Sequence, residues 1–242
     1  MRNEEAEKKK GIYLITLPHA GGSSNLYKNL GKNIECETLN IDYSGHWKRM
    51  NEPLATSFKE LEDDVINIIR KTIPSGSRII IFGHSLGAIL AWEIIPQIVG
   101  HGIEICGLFL SACEDPGTFS KSKLFYFNEE KEIIPLLGIE SKDIGSQFID
   151  VFLPILENDL LLCREYKSNC MYRDIRAIII YGSDDEMINK SDIKKWNKYV
   201  RIMNTIELEG DHFYLNRTEN MHYICCLINQ YVNRIIMGED YN

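Results

Sequence analysis

Positive charge is in deficit in this 242-residue chain: 27 Lys and Arg stand against 35 Asp and Glu, a formal net charge of −8. A broad electrostatic grip on nucleic acid or on an anionic membrane surface is thereby excluded. No uninterrupted apolar run approaches the roughly 18 residues that cross a bilayer. The first ten residues, MRNEEAEKKK, form a charged tail without the apolar stretch of a signal peptide. The 7 cysteines are odd in number and include no Cys-x-x-Cys pair, which argues for reduced thiols in the cytoplasm rather than a disulfide framework. No set of Cys and His has metal-ligand spacing, and no Walker A sequence or G-x-G-x-x-G after a strand is present, so neither a metal nor a nucleotide cofactor is expected. Repeats, low-complexity tracts and Pro/Gly/Ser-rich linkers are missing too. With 44% hydrophobic residues, the chain carries enough apolar surface for a sizeable core. It reads as one domain, residues 11–242, behind the tail 1–10.

Strand and helix patterns alternate along that domain. Residues 11–18 (GIYLITLP) and 34–41 read as strands, followed by a helix over 56–73 with Phe58, Leu61, Val65, Ile68 and Ile69 on one face. Ser57, with Glu60 three places on, suits a capping box. The β-branched run at 78–82 (RIIIF) is of the type covered on both faces. Further elements are expected at 86–98 (helix), 103–111 (strand), 175–181 (strand), 191–199 (helix), 203–208 (strand) and 218–236 (helix). Such alternation predicts a mostly parallel sheet flanked by helices. Residues 115–174 interrupt it with three amphipathic helical stretches, at 130–137, 144–152 and 155–166, and no convincing strand. A helical insertion between sheet strands reads as a lid over a site.

The chemistry is concentrated in a few loops. Gly83-His84-Ser85-Leu86-Gly87 is a G-x-S-x-G string between a strand and a helix, the strand–turn–helix context of a nucleophile elbow. There the helix N-terminus offers free N–H groups to a developing oxyanion. A serine nucleophile needs a base, and the base an orienting acid. Among the 6 histidines, His212 lies in the loop between the last strand and the last helix, where a base would sit. His19 and His46 are loop residues near strand ends that could line a site; His101 and His222 read as structural or surface residues, and the elbow points His84 elsewhere. For the acid, Asp184 and Asp185 compete in the loop after the strand at 175–181, and Asp115 after the preceding strand is a third candidate. The glycine pair in His19-Ala20-Gly21-Gly22 can turn backbone N–H groups toward the nucleophile, or serve a helix start capped by Ser23 or Ser24.

Together these segments resemble the type II thioesterases that accompany nonribosomal peptide and polyketide synthases. LPHAGGSSNLY, GHSLGA, GSDDE and GDHFYL occur in family order between about residues 13 and 231. SGHWKRMNEP is similar to the family's Gly-x-x-x-Arg-x-x-Glu-Pro stretch, and LPILENDLLLCREY to its Leu-Pro…Asp…Glu-Tyr helix. The resemblance implies an α/β-hydrolase fold and a monomeric hydrolase that clears acyl groups from phosphopantetheine on acyl or peptidyl carrier proteins. It assigns Ser85 as nucleophile, His212 as base and Asp185 as acid, with the backbone N–H groups of Ala20 and Leu86 as oxyanion hole. One departure is Ser44-Gly45-His46-Trp47, where the family usually shows Pro-Gly-x-Gly; another is Glu186, where many relatives have Pro. The same triad would serve a general esterase or acyl-CoA thioesterase, and an idle hydrolase-like binding protein is a further alternative.

Overall fold

The apolar runs of the sequence become the strands of one parallel sheet. The structure, a computed structural model, describes residues 11–122, 125, 146–168 and 171–238. Strands β1 (Ile12–Leu17), β2 (Glu37–Asn40), β3 (Arg78–His84), β4 (Glu104–Ser111), β5 (Arg176–Gly182) and β6 (Arg201–Leu208) pair in the order β2-β1-β3-β4-β5-β6. The helices are α1 (Lys28–Lys32), α2 (Phe58–Thr72), α3 (Leu86–Glu93), α4 (Ile95–Gly100), α5 (Ser146–Glu165), α6 (Lys190–Ile193) and α7 (Thr218–Met237). Alternate residues of the central strands face opposite layers, as the period of two requires. Ile79 and Ile81 pack with α2, α3 and α5, whereas Ile80 and Phe82 pack with α1 and α7. All eight residues of α3 are buried, which makes it the pillar on which β3 ends.

Several elements differ from the sequence reading, each for a local reason. The helix expected over 86–98 is two helices, with Pro96 in the first turn of α4, where no N–H is needed. The stretches 144–152 and 155–166, read as separate, are joined from Ser146 to Glu165 in one continuous α5 that carries Pro154 on its exposed side; residues 144 and 145 lie outside the described residues. The helix expected over 191–199 is α6 followed by a 3-10 helix at Lys194–Lys198. Buried Ile193, Trp196 and Tyr199 recur every third residue there, the 3-10 period. On α2 the Ser57 hydroxyl accepts from Glu60 N (3.1 Å), but the Glu60 carboxylate reaches Thr56 N (2.8 Å) rather than closing the box on Ser57. The helix expected over 130–137 and the tail 1–10 lie outside the described residues. No helix among the described residues is long and apolar enough to cross a membrane.

The connection from α5 back to the sheet is tied down at its far end. Tyr166 donates its hydroxyl hydrogen to Glu93, and the Arg173 guanidinium lies 3.8 Å above the Trp92 ring.

Candidate active site

The carboxyl ends of β1, β3, β5 and β6 converge on one edge of the sheet. Register sets this alignment: Leu17 pairs with Gly83, His84 with Ser111, and Gly182 with Leu208. The chain moves outward from β1 to β2 and then back past β1 to β3, so this edge lies at a point where strand order reverses.

Ser85 sits between β3 and α3 at φ +55° and ψ −117°, a conformation that costs a non-glycine residue roughly 1–2 kcal/mol. The turn is too tight for side chains on either flank. A Cβ at Gly83 would stand 2.1 Å from the Gly87 carbonyl oxygen, and one at Gly87 2.2 Å from that of Leu17. Ser85 N donates to Ser111 O (2.8 Å), which bolts the elbow to the end of β4.

The loops after β5 and β6 touch backbone to backbone. Asp184 N donates to Gly210 O (2.9 Å), and Ser183 N to Leu208 O (2.7 Å). This brings the buried carboxylate of Asp185 to the buried ring of His212, with Oδ2 2.9 Å from Nδ1. Asp185 Oδ1 accepts from Met187 N (3.0 Å). A carboxylate can only accept, so Nδ1 carries the hydrogen and Nε2 presents its lone pair. That Nε2 is buried and has no hydrogen-bond partner among the described residues. Of the three candidate acids, the other two are engaged elsewhere. Asp184 is exposed and bonds the Ser183 hydroxyl, while Asp115 closes its own turn on Gly117 N (3.0 Å) and the Thr118 hydroxyl.

Two more histidines crowd the site. His84, which the sequence reading pointed away, packs its ring 5.3 Å from that of His212. Its Nδ1 lies 2.6 Å from Ser111 Oγ, which in turn bonds the Tyr214 hydroxyl two residues beyond His212. His19 stands edge-on to His84 and to Phe213. Burial pushes His84 well below the usual imidazole range and His19 down to about 3, so both rings are neutral.

The loop after β1 completes the edge. Gly22 N donates to His19 O (2.8 Å), turning the chain around Ala20 and Gly21, the latter at φ +70°. Four side chains fix this loop. Tyr27 and Tyr43 donate to the Leu17 and Pro18 carbonyls (3.0 and 2.7 Å). Buried Asp42 accepts from Ser24 N and Oγ (2.6 and 2.8 Å), and buried Asp159 of α5 accepts from Gly21 N (2.7 Å). Ser23 occupies the cap position of the following turn without a side-chain bond, and the Ser24 hydroxyl is spent on Asp42, so neither serine caps as expected. In the next loop Arg49 bridges Glu52 (2.9 Å) and Asp64 (2.6 Å) and donates to Asp42 O (3.0 Å). The Gly-x-x-x-Arg-x-x-Glu-Pro stretch is therefore a brace between this loop and α2. Asp42 and Ser111 were not singled out from sequence, because nothing local distinguishes them from ordinary turn and strand residues.

Sheet order, elbow and converging loops define an α/β-hydrolase fold. The family model for the Thioesterase domain matches residues 13–231, and the chain belongs to that family. It is 25% identical over 225 residues to the probable anguibactin biosynthesis thioesterase AngT of Vibrio anguillarum, covering 88% of this chain and 89% of that one. With thioesterase TesA of Mycobacterium leprae it shares 27% identity over 213 residues, 84% of this chain and 80% of the relative. Among solved structures, ClbQ from the colibactin NRPS/PKS pathway superposes with a TM-score of 0.82 at 25% identity, over 95% of this chain and 100% of that one.

Proposed function

We propose that this thioesterase is a type II, editing enzyme that hydrolyses stalled acyl groups from the phosphopantetheine arm of carrier proteins. The observation that carries its chemistry is the buried Asp185–His212 pair, its Nε2 without a hydrogen-bond partner among the described residues, beside the strained Ser85 elbow. Ser85 Oγ attacks the thioester carbonyl while His212 Nε2 takes the hydroxyl proton. Asp185 holds the ring's tautomer and offsets the charge it acquires. The oxyanion is received by the N–H groups of Ala20 and Leu86. When the carbon–sulfur bond breaks, His212 returns the proton to the departing thiolate, leaving Ser85 acylated and a free pantetheine thiol. Water then gives a proton to His212 as its oxygen attacks the ester. Ser85 Oγ leaves with that proton, and the free acid is released. The chain needs no cofactor of its own, since the substrate brings the pantetheine.

The substrate class is supported by relatives of NRPS/PKS systems at near full-length coverage. Of the expected lid, the described helix α5 (Ser146–Glu165) serves as the cap over the acyl site. It lays Phe152 and Leu156 against Gly21, where a Cβ would meet them at 3.1 and 3.2 Å. An editing enzyme meets many acyl groups, so selectivity falls to the shared pantetheine and carrier surface. Moving one acyl group from carrier protein to coenzyme A is expected to lower kcat/KM at least about tenfold. Intact-mass measurement of acylated carriers before and after incubation reads the first; equal efficiency on both donors would favour a general acyl thioesterase.

A further inference from the structure

The lid helix and the loop after β2 share a buried ion pair that the reaction above does not use. Asp159 of α5 and His46 are 1% and 3% exposed, and Asp159 Oδ2 lies 2.9 Å from His46 Nε2. The other ring nitrogen, Nδ1, lies 2.9 Å from the Ser44 carbonyl oxygen. Carbonyl and carboxylate oxygens accept and never donate, so each nitrogen needs a hydrogen to make its contact. The ring in this geometry is an imidazolium. Burial by itself would push His46 down, but the Asp159 carboxylate more than offsets it and holds the group above the usual imidazole range. The groups facing the pair are Asp42 and the Tyr43 ring from the same loop, Cys163 from α5, and His19 from the loop after β1.

The same Asp159 oxygen accepts from Gly21 N at 2.7 Å. Gly21 is the third residue of the turn closed by Gly22 N and His19 O, so anchoring its N–H fixes the Ala20–Gly21 peptide plane. We propose that Asp159 and protonated His46 are positioning residues for the oxyanion hole: Asp159 aims the Ala20 N–H through Gly21, and His46 supplies the positive charge that pairs with the buried Asp159 carboxylate. The inference rests on the thioesterase reading for its role of Ala20. Holding α5 does not require a charge here. That helix is already seated by buried Leu156, Leu160 and Leu162 and by Asn158 Nδ2 donating to Ala55 O (3.1 Å). A carboxylate placed among those leucines costs desolvation, which its two hydrogen bonds to the site-side loops offset.

The experiment compares the native enzyme with Asp159→Ala, Asp159→Asn and His46→Gln on an acyl N-acetylcysteamine thioester. A trifluoromethyl ketone of the same acyl chain serves as a probe of the tetrahedral oxyanion. Displacing one donor is expected to lower kcat about 10–100-fold in Asp159→Ala with KM within about twofold, and to weaken the ketone in parallel. Asp159→Asn keeps an acceptor for Gly21 and should recover part of both. The native kcat should decline as pH rises through the His46 titration, and His46→Gln should lack that limb. Folded variants with native kcat, or a kcat loss that the ketone does not share, would overturn the proposal. Should the Asp159 variants not fold, imidazole nitrogen NMR of the native enzyme decides: both His46 nitrogens protonated at pH 7 supports it, and a neutral ring overturns it. Ser85→Ala is the control for the parent reading, because turnover surviving that change would refute the serine mechanism itself, whatever His46 does.

Discussion

Three aspartates follow strand ends near His212, and geometry assigns them unequal consequences. Asp185→Asn removes the acceptor that fixes the imidazole tautomer, so steady-state kcat should fall by roughly 10³–10⁴. Asp184→Asn should stay within about twofold, since its carboxylate faces solvent. Asp115→Asn should leave kcat nearly intact and cost about 1–2 kcal/mol in a denaturant titration, because it disturbs a buried turn. The neutral histidines make a second prediction. His19 titrates near 6.5 when unfolded and at about 3 when folded, so the unfolded chain binds the extra proton between those values. Stability should therefore rise as pH rises through that window, by up to about 1.4 kcal/mol per pH unit per histidine so held. Urea midpoints measured inside that window, below pH 6.5, should show the slope, and His19→Gln should reduce it. His46 works in the opposite sense: its folded value is raised, so its contribution is complete below 6.5 and is lost as pH rises above that. Ser85 and His212 are legible in the sequence because each sits in a loop whose flanking elements announce it. Asp159 and His46 are 113 positions apart, and nothing in either neighbourhood names the other.

Backbone economy explains the elements that sequence patterns misplaced. Proline breaks a helix only where its missing N–H or displaced carbonyl cannot be satisfied. Pro154 faces solvent and the helix runs on, whereas Pro96 begins a new helix behind the break at Ile94. The loop residue Trp47 shows the same economy in reverse. It holds φ +41° with its side chain 53% exposed. Trp47→Gly would relieve roughly 1–2 kcal/mol of left-handed strain while costing about 0.5–1 kcal/mol of chain entropy. The expected outcome is stability unchanged or up to about 1 kcal/mol higher by urea midpoint, despite the loss of a large aromatic. Ser57→Ala should cost about 1 kcal/mol on the same assay, because its hydroxyl caps α2 alone. Amides of α5 should exchange faster than those of β3, which lies between two strands under helices on both faces. Equal protection would make the cap a rigid part of the core.

At the scale of the whole molecule, the alternation of strand and helix patterns was enough to imply a parallel sheet, but not its order. Order depends on which strand finds which edge, and apolar runs as alike as those of β3 and β5 carry no address. The last helix shows how little of the assembly is dispensable. Ile224, Ile228 and Val232 of α7 are fully buried against the sheet. Each is worth about 1.5–3 kcal/mol, together comparable to the whole stability of a typical domain at roughly 5–15 kcal/mol. A chain stopped after Arg217 should therefore partition into the insoluble fraction on expression. The placement of Ala20, Ser85, Asp185 and His212 at the ends of four strands also has a consequence in time. During synthesis, at about 5–20 residues per second, the ribosome makes the serine many seconds before the histidine, and β6 must dock on β5 before that histidine can face it. A nascent chain thus lacks the assembled site until its last strands are in place. The Asp185–His212 pair meets the Ser85 elbow only with the closing strands.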